Sequence, residues 1–248
     1  MIDRRQLILA SGSALLLSGC DRLNGNPAFR QVLRSAEGLT MRAQRLVTDR
    51  TALAREYSEA DMSPIFRSNG TRLPDTPDYA RHLAERFTNY RLRVDGLVTK
   101  PLSLSLEQIR ALPVRTQVTR HDCVEGWSAI GKWHGVPLGL LLKGAGLSSR
   151  ARFVVFHCMD RLGGRPYYES IDLVDAFHPQ TILAWGMNNR ALEVPHGAPL
   201  RLRVERQLGY KHAKFVERIE AVESLAGIHG GRGGYWEDSG DYEWYAGI

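Results

Sequence analysis

Short runs that alternate apolar and polar residues recur from Arg91 to Val222, and strand-like runs outnumber helical ones. Alternation sends successive side chains to opposite faces, so each run reads as a half-buried strand. Arg91-Leu92-Arg93-Val94-Asp95-Gly96 is one, closed by a turn glycine, and Leu102-Ser103-Leu104 is a second. Residues 114–119, 153–157, 181–185, 200–204 and 215–222 continue the set. Helices are shorter. Ser105-Leu106-Glu107-Gln108 matches a capping box that opens a helix through Ala111, and residues 136–142 read as a helix stopped by Gly144-Ala145-Gly146. Strands that predominate, with irregular segments between them, specify a mixed α+β domain. Neither a G-x-G-x-x-G nor a P-loop occurs, which argues against a nucleotide cofactor.

Residues 1–20 read as an export signal. Arg4-Arg5 begins a short basic segment, and residues 7–17 are mostly apolar and small, too short a run to cross a bilayer. Asp3-Arg4-Arg5-Gln6-Leu7 resembles a twin-arginine export motif, with Asp3 and Leu7 as imperfect matches; a plain basic leader is the alternative. Leu17-Ser18-Gly19-Cys20 resembles a bacterial lipobox, so Cys20 is the expected lipidation site and the protein is expected at the periplasmic side of the membrane. Residues 21–60 are expected to form a helical arm. Val32, Leu33, Ala36, Leu39, Ala43, Leu46 and Val47 fall at helical spacing, as one amphipathic helix or a pair broken near Gly38. Residues 61–248 are the expected main domain. It opens on a Pro-, Asn-, Gly- and Asp-rich loop, and its strands begin after Tyr79. It ends in a glycine- and aromatic-rich tail from Gly230, either a mobile rim over a pocket or a packed segment.

The chemistry concentrates at Arg120-His121-Asp122-Cys123-Val124-Glu125-Gly126-Trp127-Ser128. The thiolate is the form of cysteine that binds soft metals or attacks electrophiles, and the nearby Arg120 and His121 are expected to favour it. With Cys20 lipidated, only Cys123 and Cys158 remain, and a disulfide between them is the ordinary alternative in an oxidising compartment. Zinc held by His121, Cys123, His157 and Cys158 is disfavoured, because adjacent strand residues point to opposite faces. A nucleophilic Cys123 with His121 or His134 as base is open, without any hydrolase signature around it.

A second constellation runs from His196-Gly197-Ala198-Pro199-Leu200-Arg201 to Gly209-Tyr210-Lys211-His212-Ala213-Lys214. Cations gathered round glycine-containing turns suit a phosphate or similar anion, with Arg201, Lys214 and His196 as the candidates. Lys211 alone reads as a charge on a solvated strand edge. Net charge is +6, carried by many arginines and few lysines, but the basic residues are dispersed among acids and no nucleic-acid motif appears.

Taken together, these motifs carry a resemblance. His121-Asp122-Cys123-Val124-Glu125-Gly126-Trp127-Ser128, then Trp133-His134-Gly135-Val136-Pro137-Leu138, resembles the molybdenum-pterin domain of the sulfite oxidase superfamily. Leu183-Ala184-Trp185-Gly186-Met187-Asn188 and the two basic motifs agree with it, over about residues 61–226. The Cys-Val-Glu-x-Trp-Ser run is most similar to the exported protein-methionine-sulfoxide reductase catalytic subunits. The resemblance implies the α+β fold of that superfamily without its dimerisation domain, and a Mo-molybdopterin cofactor. It implies Cys123 as the catalytic metal ligand. Asn69, Cys158, His196, Arg201, His212, Ala213 and Lys214 are implied as cofactor contacts, Cys158 replacing a threonine and His196 an asparagine of the family. The implied activity is oxygen-atom transfer, with reduction of a sulfoxide such as protein methionine sulfoxide first and oxidation of sulfite or another small oxoanion as the alternative. No haem or iron–sulfur signature is visible, so a separate electron partner, a membrane haem protein in the reductase system, is expected. The alternative outside enzymes is a lipoprotein binding module that keeps the fold without metal.

Overall fold

The computed structural model describes residues 26–248. The Arg4-Arg5 pair and Cys20 lie outside the described residues. The first element is one helix, Pro27–Val47. Asn26 caps it, its side chain accepting from the amides of Ala28 and Phe29 at 2.9 and 3.4 Å. The helix passes through Gly38 unbroken, since one glycine costs only about 1 kcal/mol in a helix interior.

That unit runs to Thr48, and a second begins at Asp49. Residues 49–60, expected in the arm, therefore belong with the domain. Their backbone groups find partners there, which an extended segment requires. The Tyr57 amide donates to the Val118 carbonyl at 2.9 Å. His178 donates through Nε2 to the Ala52 carbonyl at 3.0 Å. Gln180 brackets Ala54, accepting from its amide at 2.7 Å and donating to its carbonyl at 2.9 Å.

The described residues hold ten strands: β1 Arg91–Gly96, β2 Leu102–Ser105, β3 Arg115–Cys123, β4 Trp127–Pro137, β5 Phe153–Leu162, β6 Arg165–Asp172, β7 Ile182–Met187, β8 Arg190–Ala191, β9 Arg201–Arg203 and β10 Val216–Val222. One sheet has the order β2-β1-β10-β5-β6, the other β3-β4-β7-β8 with β9 also paired to β7. β1 and β10 are parallel and their other neighbours antiparallel. Leu92 and Val94, Phe156 and Ile219 form the core with Leu138, Leu141 and Leu142 from the helix Leu138–Ala145. That helix starts two residues later than expected because Val136 and Pro137 complete β4, and it stops at Gly146, whose φ is 67°. The capping box at Ser105 forms as read, with Gln108 reaching back to the Ser105 amide at 2.9 Å.

The sequence did not reveal three strands, β4, β6 and the two-residue β8. β6 lacks alternation because Tyr168 to Ile171 are all buried, so both of its faces are covered. β4 pairs with β3 through Cys123↔Trp127, and this lengthens β3 beyond Thr119. Cys123 thus ends a strand, ahead of the turn Val124-Glu125-Gly126, rather than lying in a loop.

Candidate cofactor and active site

The β3–β4 hairpin sets the thiol. Alternation along β3 puts His121 and Cys123 on the buried face and Arg120 and Asp122 on the other. Arg120 does not attend the thiol. Its Nε donates to the Asp122 carboxylate at 2.9 Å, and Ser128 donates to the same group at 2.5 Å. His121 is buried, and its Nδ1 accepts from Arg203 Nη1 at 2.9 Å, which leaves its proton on Nε2. Burial and the nearby Arg203 and Arg201 hold its pKa well below the usual imidazole range.

The expectation that Arg120 and His121 favour a thiolate is therefore corrected. Burial raises the Cys123 thiol pKa and the Glu125 charge adds to the rise, against weaker help from the Glu125 amide and Asn69. Asn69 Nδ2 lies 3.4 Å from Sγ. A nucleophilic cysteine needs a base, and His121 has neither a free acceptor nor the tendency to charge. A bound cation deprotonates such a thiol outright.

Cations gather nearby, and they differ in how they are paired. Arg203 is wholly buried and forks onto Glu205 at 2.9 and 2.6 Å, over the face of Trp133. Arg201, 2 % exposed, has no carboxylate bonded to it among the described residues. Its Nη1 donates to the His196 carbonyl at 3.0 Å, and its Nε has no partner. Burial first and Arg203 second push its pKa down to about 9. Lys214 donates to the carbonyls of Asn69 at 2.7 Å, Pro195 at 3.0 Å and Thr71. Burial and Arg201 push it down to about 7. Gly197, at φ 107°, lets the two stems close together: a Cβ there would stand 2.9 Å from Lys214 Cβ and 3.2 Å from Arg201 Cβ.

A recess of about 130 Å³ adjoins this group. Its polar lining includes Asn69, Thr71, Asp160, His212 and Lys214, and Val124 and Glu125 bring it to the turn after Cys123. His212 donates through Nε2 to the Gln207 carbonyl at 3.0 Å and leaves a buried Nδ1 without a partner. His196 also keeps an unpartnered Nδ1, and burial lowers the pKa of both rings. Asp160 was missed in the sequence, although it stands two residues beyond Cys158 on the same face of β5. It is 3 % exposed with a buried, unpartnered Oδ1, and burial raises its pKa to about 6.

Four aromatic residues also line it: Tyr167, Tyr210, Trp236 and Tyr242. The last two come from the C-terminal tail, which is fastened rather than mobile. Asp238 accepts from the amides of Gly230 and Arg232 at 2.9 and 3.0 Å, and the Leu208 amide donates to the Ala246 carbonyl at 2.9 Å. Glu237, in the helix Tyr235–Ser239, pairs with Lys211. Lys211 is thus no solvated edge charge. It is fully buried between Glu237 and Glu169, the latter at 2.7 Å, and these carboxylates raise its pKa against the effect of burial.

Two expected contacts sit apart. Cys158 is a buried free thiol in the core, its pKa driven well up by burial, and it lines a neighbouring recess that shares Asp160. The adjacent His157 points the other way, to Glu220 at 2.9 Å. Ala213 is buried with its amide bonded to the Lys211 carbonyl and its carbonyl to the Leu202 amide, so it positions His212 and Lys214 but offers no free polar backbone group.

Two buried cations bonded to no carboxylate, unpartnered buried atoms on His196, His212 and Asp160, and a buried thiol suit a ligand with an anionic group, polar edges and a thiophilic metal. A metal-pterin phosphate has these parts, so the residues present fit it. Residues 80–226 match the oxidoreductase molybdopterin binding domain. The chain is 35 % identical to a putative protein-methionine-sulfoxide reductase subunit of Azospira oryzae, over 98 % of this chain and 86 % of that protein. It is 32 % identical to the protein-methionine-sulfoxide reductase catalytic subunit of Xanthomonas campestris, over 90 % of this chain and 71 % of that one. Among solved structures, the sulfane dehydrogenase SoxCD of Paracoccus pantotrophus superposes with a TM-score of 0.50 at 25 % identity, covering 55 % of this chain and 39 % of its own. With the thiol, the cations and these relatives in agreement, the chain belongs to the oxidoreductase molybdopterin-binding family, whose cofactor is Mo-molybdopterin.

Proposed function

We propose that this molybdopterin oxidoreductase reduces a sulfoxide, such as oxidised methionine in proteins, using electrons from a separate partner. The observation that carries the reading is the buried Cys123 beside a recess lined by Lys214, which bonds only to carbonyls, with Arg201, bonded to no carboxylate among the described residues, next to it. Relatives named as methionine-sulfoxide reductase subunits along nearly the whole chain support the substrate class.

When bound, the molybdenum supplies two-electron redox chemistry and a place for the transferred oxygen. The protein's own part is binding and orientation. Cys123 would hold the metal through Sγ, with the Asn69 amide moderating how much charge the sulfur donates. Arg201 and Lys214 would hold the phosphate; protonated Lys214 gains the counter-charge that its carbonyl partners do not supply. His196 and His212 would offer their unpartnered Nδ1 atoms, and Asp160 would accept from amino and ring N–H groups of the pterin. Overall, a sulfoxide takes up two electrons and two protons and leaves as a thioether and water.

The described residues include no helix long and apolar enough to cross a membrane. Export by the leader and lipidation at Cys20 would hold the enzyme at the periplasmic face of a membrane, within reach of a membrane haem protein as donor. Turnover by the cofactor-loaded enzyme tests the reading. Reduction of a methionine-sulfoxide peptide by a reduced viologen, lost in Cys123→Ser, is expected. Sulfite oxidation with ferricyanide and no sulfoxide reduction would overturn it in favour of a sulfite dehydrogenase.

A further inference from the structure

The recess has two kinds of lining, and only one is claimed by the cofactor. Within the lining, the unpartnered buried atoms belong to the polar part, at Asp160 and His212, with Lys214 beside them and Arg201 and His196 next in the chain's basic cluster. The side chains of the aromatic part have no unpartnered buried atom, and the cation behind it, Lys211, is already paired with Glu169 and Glu237. It is built from the tail: Trp236 stacks on Tyr242 at 5.5 Å and 23°, and Tyr242 meets Tyr210 edge-on at 5.0 Å. Tyr235 supports Trp236 from behind at 5.3 Å and itself stacks on Tyr167 at 5.5 Å. Trp236 and Tyr242 are half-buried and both line the recess.

We infer that Trp236 and Tyr242 form the subsite for the methylthio end of the oxidised methionine side chain. This rests on the sulfoxide reductase reading and adds the residues that select the substrate. The S-methyl and methylene groups of a methionine sulfoxide stay apolar and pack on aromatic rings, and the divalent sulfur of the thioether product contacts such rings favourably at about 5 Å. Rings locked to one another lose little freedom on binding, and these are locked twice. They brace each other, and Glu237, one residue after Trp236, is fixed to buried Lys211. Such a subsite lies against the turn that follows Cys123, since Val124 and Glu125 line the same recess.

The test uses the cofactor-loaded enzyme with Trp236→Ala, Tyr242→Ala and the conservative Trp236→Phe. Three quantities are measured: KM and kcat for a methionine-sulfoxide peptide, equilibrium binding of the fluorescently labelled peptide to the oxidised enzyme, and molybdenum content with its Mo(V) spectrum. The alanine variants are expected to raise KM and Kd about tenfold. Their kcat should stay within about twofold, with metal content and spectrum unchanged, and Trp236→Phe should recover most of the loss. Unchanged KM and Kd overturn the subsite. Loss of molybdenum or a shifted Mo(V) signal also overturns it, because the rings then serve the cofactor. A wild type that binds the peptide through Trp236 without reducing it keeps the subsite and removes the reductase reading. A wild type that reduces the peptide equally well in all variants does the reverse.

Discussion

Lys211 and Lys214 lie within one short stretch of chain and are both almost wholly buried, yet their surroundings are opposite. Lys211 sits between Glu169 and Glu237, and the two carboxylates raise its pKa in spite of burial. Lys214 bonds only to carbonyl oxygens, and burial with Arg201 brings its pKa down to about 7 although Asp160 lies near enough to oppose the fall. A buried cation with its acids supplied by the fold is a structural fastening. A buried cation without them is kept for a charge that comes from outside the chain. The first holds the C-terminal tail; the second is where the proposed function puts the cofactor's anion.

Removing the charge at each position separates the two roles, and Lys211 should show the larger effect. Lys211→Met leaves two buried carboxylates facing each other and is expected to cost about 3–5 kcal/mol in denaturant unfolding of the cofactor-free protein. Lys214→Met removes a charge that the empty protein does not balance, and the same measurement should change by only about 1 kcal/mol. If the costs were equal, the distinction would fail.

Next in size is the pH dependence of the cofactor-free protein. Between pH about 7 and the ordinary lysine value near 10.5, the unfolded chain holds the Lys214 proton and the folded one does not. Stability from this group therefore rises with pH across that window, by at most about 1.4 kcal/mol per unit. Asp160 acts in the opposite sense. Its folded value of about 6 lies above the ordinary 3.8, so its contribution is present at low pH and lost as pH rises through 6. Unfolding curves at pH 7 to 10 should steepen in wild type relative to Lys214→Met. A rise of equal slope in both proteins would assign it to other groups.

The smallest effect sharpens the geometry. Gly197→Ala forces a Cβ at φ 107° against the Lys214 and Arg201 stems, which stand 2.9 and 3.2 Å away. It should cost about 1–3 kcal/mol and weaken cofactor retention, read by thermal unfolding and metal content. Full retention would mean that the two cations need not be held together.

The sequence showed what local spacing and chemical type can carry. The alternation in β1, the capping box at Ser105 and the unusual polar setting of Cys123 all lie within a few neighbouring residues, whereas the alternating run 200–204 is buried on both faces because Arg203 finds Glu205 inside the fold. What it hid depends on partners far along the chain. Lys211 looked like an edge charge because Glu169 and Glu237 lie tens of residues away on either side. Arg120 looked like a helper of Cys123 because adjacency in sequence suggests contact, whereas a strand sends neighbours to opposite faces. The tail gave no sign of its fastening, because its glycines and aromatics fit a loose rim as well as a packed one.

The most direct test of the claim that Cys123 and the Lys214–Arg201 pair hold the cofactor is the molybdenum and pterin content of protein purified from a host that makes it. Wild type should be compared with Cys123→Ser and an Arg201→Met/Lys214→Met double variant. About one molybdenum and one pterin per chain are expected in wild type. Cys123→Ser should lose or spectroscopically alter the metal, and the double variant should lose both components. A metal-free wild type from such a host, or a double variant that remains fully loaded, would contradict the account.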